Sequence, residues 1–246
     1  MKDKSKIKNA DSIKDHWESG PKVFLDDELK FLQWFDHHET KKKYWASGFI
    51  DLNQRILSHD VFKIIGDPRD KVCLEIGFGG GRLLNAATHI FDFVYGVDIH
   101  DCFEKVESML DNKNYKLFKQ DEISFISDNS IDIAYSYITF QHFESEKDFN
   151  FYLNHIKRVL KTGGVLVLFY GVYITEKDED YIILKKDKID DRSSSFLCKP
   201  EFIARSFSKN GFKSVYHDIA AKKPWLDNKI FPSNSQIKLV CQKESK

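Results

Sequence analysis

The sequence predicts an α/β fold of three layers: a seven-stranded mixed sheet, its last strand antiparallel, between two layers of helices, with an N-terminal helical cap. Three observations carry this. From Lys71 onward, short apolar runs alternate with helical stretches, as in a parallel sheet whose crossovers are helices. A glycine-rich turn, Gly77-Phe78-Gly79-Gly80-Gly81, stands between one such run and a helix. Before Lys71 the rhythm differs. Leu29, Leu32 and Phe35 recur at helical spacing, Ile56, Val61 and Ile64-Ile65 follow more loosely, and nothing reads as a strand.

Taken in order, residues 1–10 form a charged start without an apolar run. A helical segment follows from about Asp11 to Gly66 and carries Trp17, Trp34, Tyr44 and Trp45. Asp67-Pro68 punctuates the chain, which divides it into a cap, 1–69, and a main domain, 70–246. Strands are expected near 71–76, 93–98, 115–119, 131–137 and 164–170. Between the last two, Phe149, Leu153, Ile156 and Leu160 make one helical face, with Ser145 to cap its start and Gly163 to end it. Residues 174–199 read as a polar connection. A helix then starts at Pro200 and stops at Gly211, and strands near 213–217 and 236–242 complete the seven.

Bulk properties exclude several classes. Of 246 residues, 41% are hydrophobic and 31% charged, an ordinary soluble composition. Lys plus Arg number 38 and Asp plus Glu 38, so the balance gives no basic signature and no nucleic-acid partner is expected. The first ten residues lack the apolar segment of a secretory signal, and no run is long enough for a bilayer. The four cysteines, Cys73, Cys102, Cys198 and Cys241, form no CxxC pair and read as reduced thiols of a cytoplasmic protein.

The most informative stretch runs from Val72 to Arg82. An apolar strand ends in the glycine turn, and a helix begins at Arg82-Leu83-Leu84. Glycine permits positive φ and lets a ligand approach the backbone. A lone glycine motif is weak evidence, but this one sits between strand and helix, and a second strand ends in Asp98, 21 positions after Gly77 (98 − 77). An acid at that place can accept both hydroxyls of a ribose.

Glu75-x-Gly77-x-Gly79-x-Gly81 resembles the first motif of the class I S-adenosylmethionine-dependent methyltransferases, a Rossmann-like family. Gln120-Asp121-Glu122 after the third strand, Arg158-Val159-Leu160-Lys161-Thr162-Gly163-Gly164 before the fifth, and Lys199-Pro200-Glu201-Phe202 with Asn210-Gly211-Phe212 agree in order. The resemblance covers about residues 70–242. It implies that Gly77 and Gly79 make room for the methionine part of the cofactor and that Glu75 orients the loop and the cofactor's amino group. It further implies that Asp98 holds the ribose, Ile99 packs on the adenine, and Asp121 with the Glu122 N–H meets the adenine edge. Ser136 joins this set at the end of the fourth strand. A nicotinamide-dependent dehydrogenase is the rival, with Tyr181 and Lys185 as a Tyr-x-x-x-Lys pair, but that family's glycine loop begins Thr-Gly where this chain has Glu75-Ile76-Gly77.

Methyl transfer is an in-line displacement on an activated donor, so positioning dominates. The segment Ser136 to Phe143 is where the resemblance places the methyl group. His142 there is the candidate general base, since imidazole titrates near neutrality, although a histidine at this place can equally brace the loop. His100 is a weaker candidate, and His37-His38 read as a solvated helix end. No Asn/Asp-Pro-Pro-Tyr motif follows the fourth strand, which argues against adenine- or glutamine-N-methylating branches, and no acid ends that strand as in magnesium-dependent members, so no metal is expected. The aromatic N-terminal helices can form a lid or simply pack on the sheet. Tyr173, Lys185, Lys186, Lys188, Arg192 and Lys199 are cations and an aromatic suited to a phosphate or carboxylate, but they are mixed with acids. The expectation is therefore methyl transfer from S-adenosylmethionine to a small polar metabolite, at oxygen, such as a sugar or cell-envelope precursor. The alternatives are a methyltransferase acting on protein or RNA, and a family member that binds the cofactor without turnover.

Overall fold

In the computed structural model, residues 12–172, 179–183, 196–218 and 236–245 are described. The helices before the sheet start where polar side chains can take the first free N–H groups. Ser12 accepts from Asp15 N–H ahead of α1 (Ile13–Ser19), Asp27 from Lys30 N–H ahead of α2 (Glu28–Phe35), and Thr40 from Lys43 N–H ahead of α3 (Lys41–Asp51). A wider turn, Leu52–Ile56, continues α3, and α4 (His59–Ile65) ends at Gly66. Of the periodic residues of this region, Leu32, Ile56, Val61 and Ile65 are buried and Phe35 and Ile64 pack partly buried against the same core, whereas Leu29 does not join it.

The main sheet contains β1 (Val72–Ile76), β2 (Phe93–Asp98), β3 (Tyr115–Lys119), β4 (Ile131–Ser136) and β5 (Leu160–Gly171). Two short strands follow, β6 (Tyr181–Ile183) and β7 (Phe196–Cys198), and then β8 (Phe212–His217) and β9 (Gln236–Lys243) close the main sheet. Its order is β3-β2-β1-β4-β5-β9-β8, with β1 to β5 parallel and β9 antiparallel to both neighbours. Successive strand residues point to opposite faces. Cys73, Ile133, Tyr135, Val165 and Val167 therefore pack with the N-terminal helices, α5 (Arg82–Thr88) and α6 (Phe103–Glu107). Leu74, Ile76, Ala134, Leu166 and Leu168 pack on the other side with α7 (Glu146–Val159) and α8 (Pro200–Lys209). Burial on both faces explains why these strands read as continuous apolar runs. The fold is the expected three-layer Rossmann-like arrangement.

Two features differ from the sequence reading. Helix α7 begins at the Ser145 cap as expected but ends at Val159, not Gly163. Leu160 already pairs with Ile131, and Lys161 Nζ lies 2.8 Å from the Asp132 carboxylate, so the chain is captured by β4 before it reaches the glycine. Within 174–199, read as a polar connection, β6 and β7 pair as a small antiparallel sheet. Phe196 stacks on Phe149 of α7 and on Tyr181, a tertiary anchor that three-residue strands cannot announce by periodicity. Tyr173, Lys185, Lys186, Lys188 and Arg192 lie outside the described residues. All four cysteines are free and buried, as reduced thiols should be.

The connections leaving β1 and β4 run to opposite sides of the sheet, toward β2 and toward β5. A crevice opens at their carboxyl ends, the usual ligand position of such sheets.

Candidate active site

The loop after β1 is bolted to the end of β2. Gly77, with φ +78°, donates its N–H to Val97 O at 2.7 Å. A Cβ there would lie 1.9 Å from Thr139 Oγ1, so both the turn and the contact require glycine. Asp98 Oδ2 accepts from Gly79 N–H at 2.7 Å, and Oδ1 accepts from Ile99 N–H at 2.7 Å and His100 N–H at 3.3 Å. His100 completes the clasp. Its Nδ1 accepts from Cys102 N–H at 3.1 Å, so its Nε2 holds the proton and donates to Gly79 O at 3.0 Å. With both ring nitrogens committed to backbone and the side chain fully buried, His100 is a brace of the glycine loop, not a base.

Beneath the loop, Glu75 is buried, and Tyr135 donates to its Oε2 at 3.1 Å. Burial pushes its carboxyl up to about 8, so it is mostly neutral at pH 7 until a cation faces it. At the end of β4, Ser136 Oγ and Thr139 Oγ1 both donate to Ile76 O, at 3.0 and 3.2 Å, which sews the two strand ends together. A helical turn, Phe140–His142, follows. Gln236 donates to Gln141 Oε1 at 3.0 Å, and Gln141 donates to His142 Nε2 at 3.2 Å, which orients the imidazole. Nearby, the buried Arg82 pairs with Asp36 at 3.2 Å and with Asp51, and its guanidinium lies 5.7 Å from the centre of the Tyr137 ring.

The N-terminal helices do more than pack. Phe35 sits against Gly79 and Gly80, and the Trp17 ring lies 5.0 Å from His142. Helix α1 is tied to both sides of the crevice: Ile13 N–H donates to Glu144 Oε1 at 2.6 Å, and Glu18 pairs with Lys119 at 2.7 Å. Just beyond it, Lys22 pairs with Asp101 at 2.8 Å. Of these, the exposed Lys22–Asp101 pair contributes roughly 0–1 kcal/mol.

Of the residues singled out from sequence, Glu75, Gly77, Gly79, Asp98, Ile99 and His142 line one cleft. Ser136 is fully buried beneath it. Asp121 is exposed outside the lining and Gln120 takes its place there, while the Glu122 side chain caps the turn by accepting from Lys119 N–H at 2.9 Å. His37 is exposed, whereas His38, read as solvated, is half-buried and bonds Asp36 and Ser47. Among the described residues no three His, Cys, Asp or Glu side chains come together as a metal site. Trp17, Phe35, Asp36 and Tyr44 also line the cleft. No local motif marks them, since they reach the site only through the packing of the cap. Arg82, Tyr137, Ile138 and Thr139 lay inside the stretches that the motifs drew attention to.

Residues 74–168, from β1 to β5, match a family model described as a methyltransferase domain. The chain thus contains a methyltransferase domain. Solved structures agree in fold. One is the methyltransferase chain of a Haloferax volcanii complex with the Trm112 methyltransferase activator: 14% identical, 92% of this chain and 98% of that one, TM-score 0.58. Another is an S-adenosylmethionine-dependent methyltransferase from Mesorhizobium loti: 12% identical, 74% and 94% covered, TM-score 0.56. A third is DhpI in complex with SAH: 14% identical, 91% and 98% covered, TM-score 0.54. At these identities the likeness is one of fold, and no curated protein matches the sequence. Of these neighbours, the Mesorhizobium loti protein is described as S-adenosylmethionine-dependent and DhpI as a complex with SAH, and the cleft can be tested against S-adenosylmethionine. The cleft suits that molecule chemically: two buried carboxyls, Glu75 and Asp98, share it with the apolar walls of Ile99 and Phe143.

Proposed function

We propose that this methyltransferase acts on a hydroxyl of a small polar metabolite, such as a sugar or cell-envelope precursor, in the cytoplasm. The observation that carries the reading is that Trp17, Phe35, Asp36 and Tyr44 of the N-terminal helices line the cleft together with the glycine loop, a concave site of the kind that takes small molecules. Charge points the same way. Asp98, Glu144 and Asp148 line the cleft beside the neutral Glu75 and the paired Asp36 and Arg82, with Lys14 as the other cation, a poor lining for RNA phosphates. Residues 1–69 are assigned as the cap and 70–246 as the catalytic domain. The four free cysteines suit a reducing compartment.

The bound cofactor supplies an electrophilic methyl group. The chain's own residues supply the rest. Asp98 accepts the two ribose hydroxyls, Gly77 and Gly79 make room for the methionine part, and Glu75 gives up its proton to face the amino group. Ile99 packs on the adenine, with Asp121 and Glu122 assigned to its edge and Ser136 to the floor. His142 takes the acceptor's proton as oxygen attacks, and the cap keeps water out, so that no metal is needed to activate the hydroxyl. A second reading of His142 has one observation behind it. The Gln141 amide bonds the Nε2 lone pair that a base must offer, which suits an imidazole that braces the loop.

The test is methyl transfer from labelled S-adenosylmethionine to a panel of hydroxylated metabolites, to total RNA and to protein, with and without EDTA. Label should enter a small molecule and survive alkali as an ether does, at a rate unchanged by EDTA. Label in RNA or protein, or activity lost in EDTA and restored by magnesium, contradicts the reading.

A further inference from the structure

Two non-glycine residues have positive φ among the described residues, Asn129 at 49° and Ile138 at 74°. Asparagine accepts the left-handed region readily. A β-branched residue does not, because its Cβ crowds the neighbouring backbone. Glycine would hold the same turn with less strain, so the turn alone does not account for an isoleucine. Nor does core packing. Ile138 is half-buried and belongs to neither hydrophobic core, although Tyr137 before it packs into one of them. Ile138 instead lines the cleft, together with its neighbours Tyr137 and Thr139. Thr139 abuts Gly77, and its carbonyl accepts from His142 N–H at 2.9 Å, so Ile138 stands where the glycine loop, the imidazole and the β4 end converge.

We propose that Ile138 is a ligand-contact and positioning residue, held in a strained backbone so that its side chain packs on the sulfur end of the bound cofactor and keeps water from the flank of the transferring methyl group. The proposal rests on the reading that this cleft takes S-adenosylmethionine. Strain persists at a site where the surroundings enforce it and the function uses it. An isoleucine flank also suits the chemistry, since a nucleophile must approach in line through a dry channel.

The experiment pairs thermal unfolding of the unliganded protein with the dissociation constant for S-adenosylhomocysteine, for wild type, Ile138→Gly and Ile138→Val. Glycine relieves the strain and removes the wall. It should leave Tm unchanged or higher while weakening binding roughly tenfold or more, the scale of a lost aliphatic contact. Valine keeps most of the wall and should bind within about threefold of wild type. Opposite movement of stability and affinity is what a merely structural residue does not produce. Wild-type affinity in Ile138→Gly, or a fall in its Tm alongside its affinity, overturns the proposal. Failure of the wild type itself to bind would instead remove the cofactor reading on which the proposal stands.

Discussion

Replacing Asp98 with alanine is expected to weaken S-adenosylhomocysteine binding by about 10²–10⁴-fold. The carboxylate is proposed to accept two ribose hydroxyls, and charge-assisted bonds contribute roughly 1.5–3 kcal/mol each. The structure adds a second cost. Asp98 also accepts from the N–H groups of Gly79, Ile99 and His100, so its removal loosens the glycine loop that lies beside the methionine part. Calorimetric titration of the purified variant measures the effect, and an affinity within a factor of two of wild type would mean that Asp98 does not hold the ribose.

Replacing His142 with alanine is expected to lower kcat by about 10²–10⁴ while cofactor affinity barely changes. Cofactor contacts are assigned elsewhere, to the glycine loop and the ends of β2 and β3. In the wild type, the rate should fall toward acid pH, where the imidazole already holds the proton it would otherwise accept. That acid limb should vanish in the variant. Bracing predicts otherwise: affinity or stability falls together with rate, and the pH profile keeps its shape. His100 does not step in as a substitute base, because Cys102 N–H and Gly79 O occupy its two nitrogens.

How much of this was legible in the sequence follows from where the information sits. The parallel sheet was legible because strands buried on both faces must be apolar throughout, and the glycine loop because a positive φ at Gly77 and its contact with Thr139 exclude other residues. Glu75 and Asp98 could be placed from their spacing around one turn. The end of α7 was misread because Gly163 looked like a helix stop, whereas pairing of Leu160 with β4 ends the helix first. The two strands β6 and β7 were missed because aromatic packing on Phe149, not periodicity, holds them. For Phe35 and Trp17 the sequence left a lid and plain core packing both open. Only the packing of α1 and α2 over the crevice brings them to the site, and no spacing in the chain encodes that contact. Ile138 lay inside the marked segment Ser136 to Phe143, but nothing set it apart from its neighbours there, since backbone strain is invisible in composition.

The most direct test is a paired titration of the wild-type protein with S-adenosylhomocysteine and with NAD at equal concentrations. Glu75 before Gly77, Asp98 at the end of β2 and the acid-lined cleft predict saturable binding of S-adenosylhomocysteine at one site, with no heat from NAD. Preferential binding of NAD, or no binding of S-adenosylhomocysteine, would contradict the account.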